Sequence, residues 1–122
     1  MTSESLAKLC STLLNEKHGV DLVALDLREV FTFTDFFVIC TATSEPHLRA
    51  LSDDLEKRLR EDYDIRPISV DGSAESQWIV MDFSGVVVHL FHEAKRSFYS
   101  LEDLWNDAPR LDLPVSPEAG AA

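Results

Sequence analysis

With 122 residues, 45% of them hydrophobic, the chain is long enough for one folded domain and too apolar to be mainly disordered. It has no apolar run of the roughly 20 residues that span a bilayer and no basic leader before an apolar stretch, so we expect a cytoplasmic protein. Its 22 acidic residues outnumber 11 Lys and Arg, for a net charge of −11. This charge disfavours direct DNA binding and extensive RNA contact, and it favours a basic protein partner.

The first half of the chain has the pattern of a helix, two strands and a second helix. Gly19 is expected to end the first helix as its C′ residue. Alternating apolar residues over 23–27 predict a strand, and the continuous apolar run "FFVICT" (36–41) predicts a strand covered on both faces. The first helix is predicted by apolar residues at helical spacing: Leu6, Leu9, Cys10, Leu13 and Leu14.

A second helix is expected after Ser44, which is suited to be its N-cap, with Pro46 in the first turn. The segment "RPISV" (66–70) predicts a short edge strand, because Pro67 cannot donate a ladder hydrogen bond, and "DGSAES" (71–76) predicts a loop. The apolar stripe of the second helix consists of Leu48, Leu51, Leu55 and Leu59.

Two apolar segments, "WIVMDF" and "VVVHLF", are joined by Ser84-Gly85, which indicates a hairpin with a two-residue turn. The turn sets Phe83 opposite Val86, and opposed residues share a face. One face is apolar: Ile79, Met81, Phe83, Val86, Val88 and Leu90. The other face is mixed: Trp78, Val80, Asp82, Val87, His89 and Phe91. Because both helices are needed to bury the apolar face, we expect the mixed face to stay at least partly open as a protein-binding patch, the alternative being a covering helix.

Ser100 and Asp103 have the spacing of a capping box for a last short helix that would carry Leu101 and Trp105. The prolines and small residues from Pro109 onward predict a flexible tail, so we expect one domain over 1–108 and a tail over 109–122. The predicted fold class is α/β, with a mixed β-sheet of about five strands and helices packed mainly on one face.

The sequence gives little support for a metal site. His89 and His92 are three residues apart on a strand and therefore point to opposite faces, without a third ligand at a familiar spacing. Cys10 and Cys40 lie among apolar residues and are expected to be buried reduced thiols. No cofactor is expected.

Several segments together resemble the ribosomal silencing factor family, also called Iojap-like. They are "ALDLR" (24–28), "TDFFVICTATS" (34–44), "WIVMDF", "VVVHLF" and "RSFYSLEDLWNDAP" (96–109), and the last is the most specific. The resemblance covers about residues 5–109 in order. The chain departs from the family pattern at "TATSE", which lacks a glycine, and at "DFSG" in the hairpin turn.

The resemblance implies a protein that binds large-subunit ribosomal protein fourteen and sterically blocks the association of the two ribosomal subunits, which represses translation. It also implies a nucleotidyltransferase-like fold and a homodimer in the free state. By the same resemblance, the partner-binding residues are Trp78, Asp82, His89, Phe91, Arg96, Tyr99, Leu101 and Trp105. From the residues alone, Trp78 and Trp105 could instead be packing residues, Asp82 a turn residue, and Arg96 a partner of carboxylates in its own chain.

An enzyme of the nucleotidyltransferase type is the rival class. It would need two or three carboxylates that converge on Mg²⁺ and a phosphate-binding loop. Here Asp26 and Asp82 lie on different strands, Asp62 and Asp64 lie at a helix end, and no Gly-Ser pair precedes a suitable helix. We therefore expect no catalysis, while an adaptor for another basic protein remains open.

Overall fold

A computed structural model describes residues 1–29, 34–96, 109–111 and 113. Within these residues, two long helices and five strands form the fold, and a short helix follows the last strand. In chain order the elements are α1 (Ser3–Glu16), β1 (Val20–Asp26), β2 (Phe36–Ala42), α2 (Glu45–Tyr63), β3 (Ser69–Ser73), β4 (Trp78–Asp82), β5 (Val86–His92) and α3 (Glu93–Arg96).

The five strands form one sheet in the order β1-β2-β5-β4-β3. The β2–β5 pair is parallel and the other three pairs are antiparallel, so the predicted mixed α/β sheet is confirmed. The main core lies between one face of this sheet and the apolar stripes of α1 and α2. The cluster on the opposite face contains no residue of α1 or α2. Among the described residues, no helix combines the length and apolarity needed to cross a membrane.

The start of α2 agrees with its sequence pattern, whereas the end of α1 differs. Ser44 is the N-cap of α2 and accepts a hydrogen bond from the His47 N–H, with Pro46 in the first turn. The prediction that Gly19 is the C′ residue of α1 is wrong, because the left-handed conformation falls on His18, at φ 64°. Gly19 is needed for space instead: a Cβ there would lie 2.3 Å from the Cys40 Sγ. Cys10 and Cys40 are buried thiols outside any disulfide, as predicted, and burial raises the pKa of the Cys10 thiol to about 12.

The strand predicted over 66–70 lies three residues later, at Ser69–Ser73, and includes half of the predicted loop. The loop is short because Ser76 ties its two ends together: its N–H donates to the Ser73 Oγ at 3.1 Å, and its hydroxyl donates to the Ser73 carbonyl at 2.9 Å. Gly72 allows the close approach of β4, since it has φ 84° and a Cβ there would lie 2.0 Å from the Trp78 carbonyl oxygen.

The chain returns to the sheet at the start of the predicted tail. The Asp26 N–H donates to the Pro109 carbonyl at 2.8 Å, and the Leu111 N–H donates to the Ala24 carbonyl at the same distance. Leu111 and Leu113 also pack against the main core. Residues 109–111 thus extend the sheet along the outer edge of β1. The rest of the predicted tail and the predicted last helix lie outside the described residues.

Candidate protein-binding surface

The β4–β5 hairpin has the predicted register. Trp78 pairs with Phe91 and Asp82 with Val87, and the Phe83 N–H donates to the Val86 carbonyl at 2.8 Å across the two-residue turn. All residues of the predicted apolar face are buried in the main core. Trp78, Val80, Val87 and Phe91 belong to the apolar cluster of the opposite face, as the alternation of the strands requires.

The expectation that the mixed face stays open is wrong for β5. Val87, His89 and Phe91 are only 8%, 7% and 0% exposed. The strand order contributes to this burial, because β5 lies between β2 and β4 in the middle of the sheet and rings from both neighbouring strands, Phe37 and Trp78, contact His89. His89 and Phe91 therefore do not form part of the accessible surface in this conformation.

The mixed face becomes accessible towards the β3 edge. Trp78, Val80 and Asp82 of β4 are partly exposed, and every residue of β3 is exposed. Antiparallel pairing puts β3 side chains on the same face as their β4 partners. We call the resulting patch the Trp78 surface; it consists of Trp78, Val80, Asp82 and their respective partners Ser73, Asp71 and Ser69. Its apolar part, Trp78 and Val80, is bordered by the carboxylates of Asp71 and Asp82.

Asp71 was not predicted to lie at the site, and Val80 was predicted on the mixed face but not among the partner-binding residues. Val80 was predicted on the correct face. Its neighbour Asp71 could not be identified, because "DGSAES" (71–76) was predicted to be a loop and not a strand. The signal that could have revealed Asp71 is Gly72, a residue that permits close approach of two strands and is compatible with an edge strand.

Beside the Trp78 surface, towards the middle of the sheet, four rings of the described residues form an aromatic cluster: Phe37, Trp78, His89 and Phe91. The Trp78 and Phe91 rings are stacked, with centroids 5.3 Å apart and planes at 16°. Phe37 contacts His89 edge-on, with centroids 4.6 Å apart. The Trp78 Nε1–H donates a hydrogen bond to the His89 Nδ1 at 3.3 Å. Trp78 is thus held by rings of the adjacent strand β5 on the same face of the sheet, while part of it remains accessible.

The remaining predicted site residues have other positions. Asp82 Oδ1 accepts a hydrogen bond from the Ser84 N–H at 2.8 Å, so Asp82 stabilises the hairpin turn, where Ser84 has φ 78°. The predicted contact of Asp82 with a partner protein stays a prediction. Arg96 is the last residue of α3, with its side chain outside the described residues. Tyr99, Leu101 and Trp105 also lie outside them.

The carboxylates suggested for the rival enzyme are far apart in the fold. Asp26 is on β1 and Asp82 on β4, with β2 and β5 between them. Asp26 is bound by Arg28, whose Nη2 lies 2.6 Å from its Oδ2, and this hydrogen bond lowers the pKa of the Asp26 carboxyl. Across the part of the chain that the structure describes, no three His, Cys, Asp or Glu side chains are grouped as metal ligands.

Comparisons of sequence and of fold both identify similar proteins. The family model for "Ribosomal silencing factor during starvation" matches residues 1–122. The ribosomal silencing factor RsfS of Bacillus subtilis is 34% identical over 93% of this chain and 95% of its own length. A crystal structure of a Bacillus halodurans protein has a TM-score of 0.76 and 31% identity, and covers 89% of this chain and 98% of its own. A crystal structure of a Chromobacterium violaceum protein shares the fold, with a TM-score of 0.81, full coverage of both chains and 23% identity.

Proposed function

Because this chain belongs to the ribosomal silencing factor family, we propose that it represses translation by binding large-subunit ribosomal protein fourteen and blocking the association of the ribosomal subunits. The general function, ribosome silencing, follows from family membership. The family is named for silencing and not for a reaction, and the proposed mechanism requires no catalysis.

The observation that carries the proposal is the Trp78 surface. It combines a partly exposed indole, braced by buried rings, with the carboxylates of Asp71 and Asp82 at its border. Aromatic anchors that are rigid before binding lose little side-chain entropy on association. The acidic border and the net charge of −11 match a basic ribosomal protein better than they match ribosomal RNA.

The proposed mechanism is steric. A domain of this length is roughly 30 Å across, so its attachment to a protein on the subunit interface would occupy space that the small subunit needs. Arg96, Tyr99, Leu101 and Trp105 are proposed to extend the contact beyond β4. His89 and Phe91, being buried, are proposed to act through Trp78. A homodimer in the free state is part of the same proposal.

The proposal is tested most directly by adding the purified protein to separated ribosomal subunits and measuring their association in sucrose gradients. We expect fewer joined ribosomes and recovery of the protein with the large subunit. Joined ribosomes at the control level, with the protein bound to the large subunit, would contradict the steric mechanism. Recovery on a basic protein outside the ribosome would instead support the adaptor function.

Trp78→Ala is expected to weaken binding to large-subunit ribosomal protein fourteen by about 2 kcal/mol, roughly thirtyfold, because it removes the aromatic anchor. Isothermal titration with the two purified proteins measures the change. Val70→Ala is the matched control, since Val70 is 42% exposed on the opposite face of the same sheet edge. Equal affinities for folded Trp78→Ala and Val70→Ala would contradict the assigned surface.

Association is expected to slow as ionic strength rises, because charge attraction steers the partners together. Asp71→Asn should reduce this salt dependence more than Glu61→Gln. Both variants remove one negative charge, but Asp71 lies on the Trp78 surface and Glu61 lies on α2. Stopped-flow association rates at several salt concentrations provide the test. The same slope in both variants would argue against steering through this surface.

A further inference from the structure

His89 is an unusual residue for its location. It is 7% exposed, on the central strand of the sheet, and among the described residues its buried Nε2 has no hydrogen-bond partner. A buried polar atom without a partner carries a free-energy cost, whereas an apolar side chain of similar shape at that position would not. Burial alone therefore does not account for a histidine here.

The other ring nitrogen has a defined contact. His89 Nδ1 accepts the hydrogen bond from the Trp78 Nε1–H, so Nδ1 carries no proton. In a neutral imidazole the proton is then on Nε2, the atom that lacks a partner. The tautomer that holds the indole is thus the one that leaves a buried donor unsatisfied. The hydrogen bond of Nδ1 with Trp78 therefore costs a hydrogen bond at Nε2.

Stacking and hydrogen bonding restrict different motions of the indole. The ring planes of Trp78 and His89 are 22° apart, and those of His89 and Phe91 are 6° apart. Stacked rings define the plane of the indole but leave its rotation within that plane and its flip about the side-chain axis weakly restricted. The indole has a single N–H donor. A hydrogen bond to that donor therefore selects the edge of the ring that faces outward.

We propose that His89 is a positioning residue, which sets the outward edge of the Trp78 indole before the partner binds. This inference rests on the proposed function, since it assigns a role at the same surface. His89 does not touch the partner. Its contribution is a pre-organised anchor, so that less side-chain freedom is lost on association.

His89→Phe separates this role from a packing role. Phenylalanine preserves an aromatic ring of similar shape and removes both the acceptor and the unsatisfied donor. We expect the variant to be at least as stable as the wild type at pH 7 and to bind large-subunit ribosomal protein fourteen about tenfold more weakly. A residue needed only for packing would show the opposite combination, with reduced stability and unchanged affinity of the folded fraction.

His89→Asn provides the rescue, because its Oδ1 can occupy the position of the imidazole Nδ1 and accept from the indole. We expect His89→Asn to be less stable than His89→Phe but to bind large-subunit ribosomal protein fourteen more tightly than His89→Phe does. A second readout is the indole ¹H–¹⁵N signal of Trp78, assigned by its loss in Trp78→Phe. In the free protein this signal should shift in His89→Phe and return towards the wild-type position in His89→Asn.

The outcomes distinguish the inference from the proposed function. Unchanged affinity in both Trp78→Ala and His89→Phe would overturn the surface and the positioning role together. Weakened binding in Trp78→Ala, combined with wild-type affinity and an unshifted indole signal in His89→Phe, would overturn only the positioning role. Weakened binding in both, with rescue by His89→Asn, is the expected result.

Discussion

Gly19→Ala is expected to lower the free energy of unfolding by about 3 kcal/mol, at the upper end of the usual cost of overpacking a core. The added Cβ would lie 2.3 Å from the Cys40 Sγ and 3.0 Å from the Leu14 carbonyl oxygen. Cys40 is fully buried in β2, so its sulfur has little room to move. Relief would require separating the end of α1 from the sheet.

A double-mutant cycle with Cys40→Ala tests this explanation by urea denaturation. Cys40→Ala removes the sulfur that the new methyl group would meet, so the double variant should be about 2 kcal/mol more stable than the sum of the single changes predicts. Gly85→Ala is the matched control, since its Cβ would lie 2.0 Å from the hydroxyl of Ser3. Ser3 is partly exposed and its hydroxyl can rotate away, which leaves a 3.0 Å contact with the Ser3 Cβ, so the cost should be smaller than at Gly19. Additive effects at positions 19 and 40 would refute the assigned clash.

The second large effect is a loss of stability in mild acid that arises from His89. Burial lowers the pKa of the His89 imidazole from 6.5 to about 4. The unfolded chain therefore binds a proton at a higher pH than the folded chain does. The stability from neutral His89 is fully present above pH 6.5 and is lost as the pH falls towards 4. A shift of this size corresponds to about 3 kcal/mol.

Urea denaturation at several pH values between 7 and 4 measures this loss, and His89→Phe should remove most of it. Among the described residues, the side chains that contact His89 include the rings of Phe37, Trp78 and Phe91. None of these rings offers a carboxylate to a charged imidazole. Asp26 does not interfere in this window, because its pKa is lowered from 3.8 and its contribution is lost only at lower pH. An equal pH dependence in wild type and His89→Phe would show that another group is responsible.

The parts of the fold predicted correctly from sequence are those that depend on neighbouring residues. A two-residue turn sets the whole register of the β4–β5 hairpin, because side chains alternate with a period of two. Both helices were recognised from their apolar spacing, and Ser44 was correctly identified as the cap of α2. Each of these features is decided within about 15 residues of chain.

The strand order was not accessible in this way. Parallel pairing of β2 with β5 joins residues about 50 positions apart, and no local pattern specifies which distant strand will be the neighbour. That pairing puts His89 and Phe91 in the middle of the sheet, where both are buried, whereas the sequence predicted an accessible face. Trp78, on β4 one strand further out, stays partly exposed. The site therefore depends on topology as much as on composition.

The return of the chain to β1 defines where the folded unit can be cut. Residues 109–111 supply the acceptor for the Asp26 amide and the donor for the Ala24 carbonyl. A fragment that stopped at residue 108 would lose both hydrogen bonds. It would also expose the outer edge of β1, on the opposite side of the sheet from β3, and strands of other proteins could pair with that edge. We therefore expect the smallest stable fragment to extend through Leu113, whose side chain still packs against the main core.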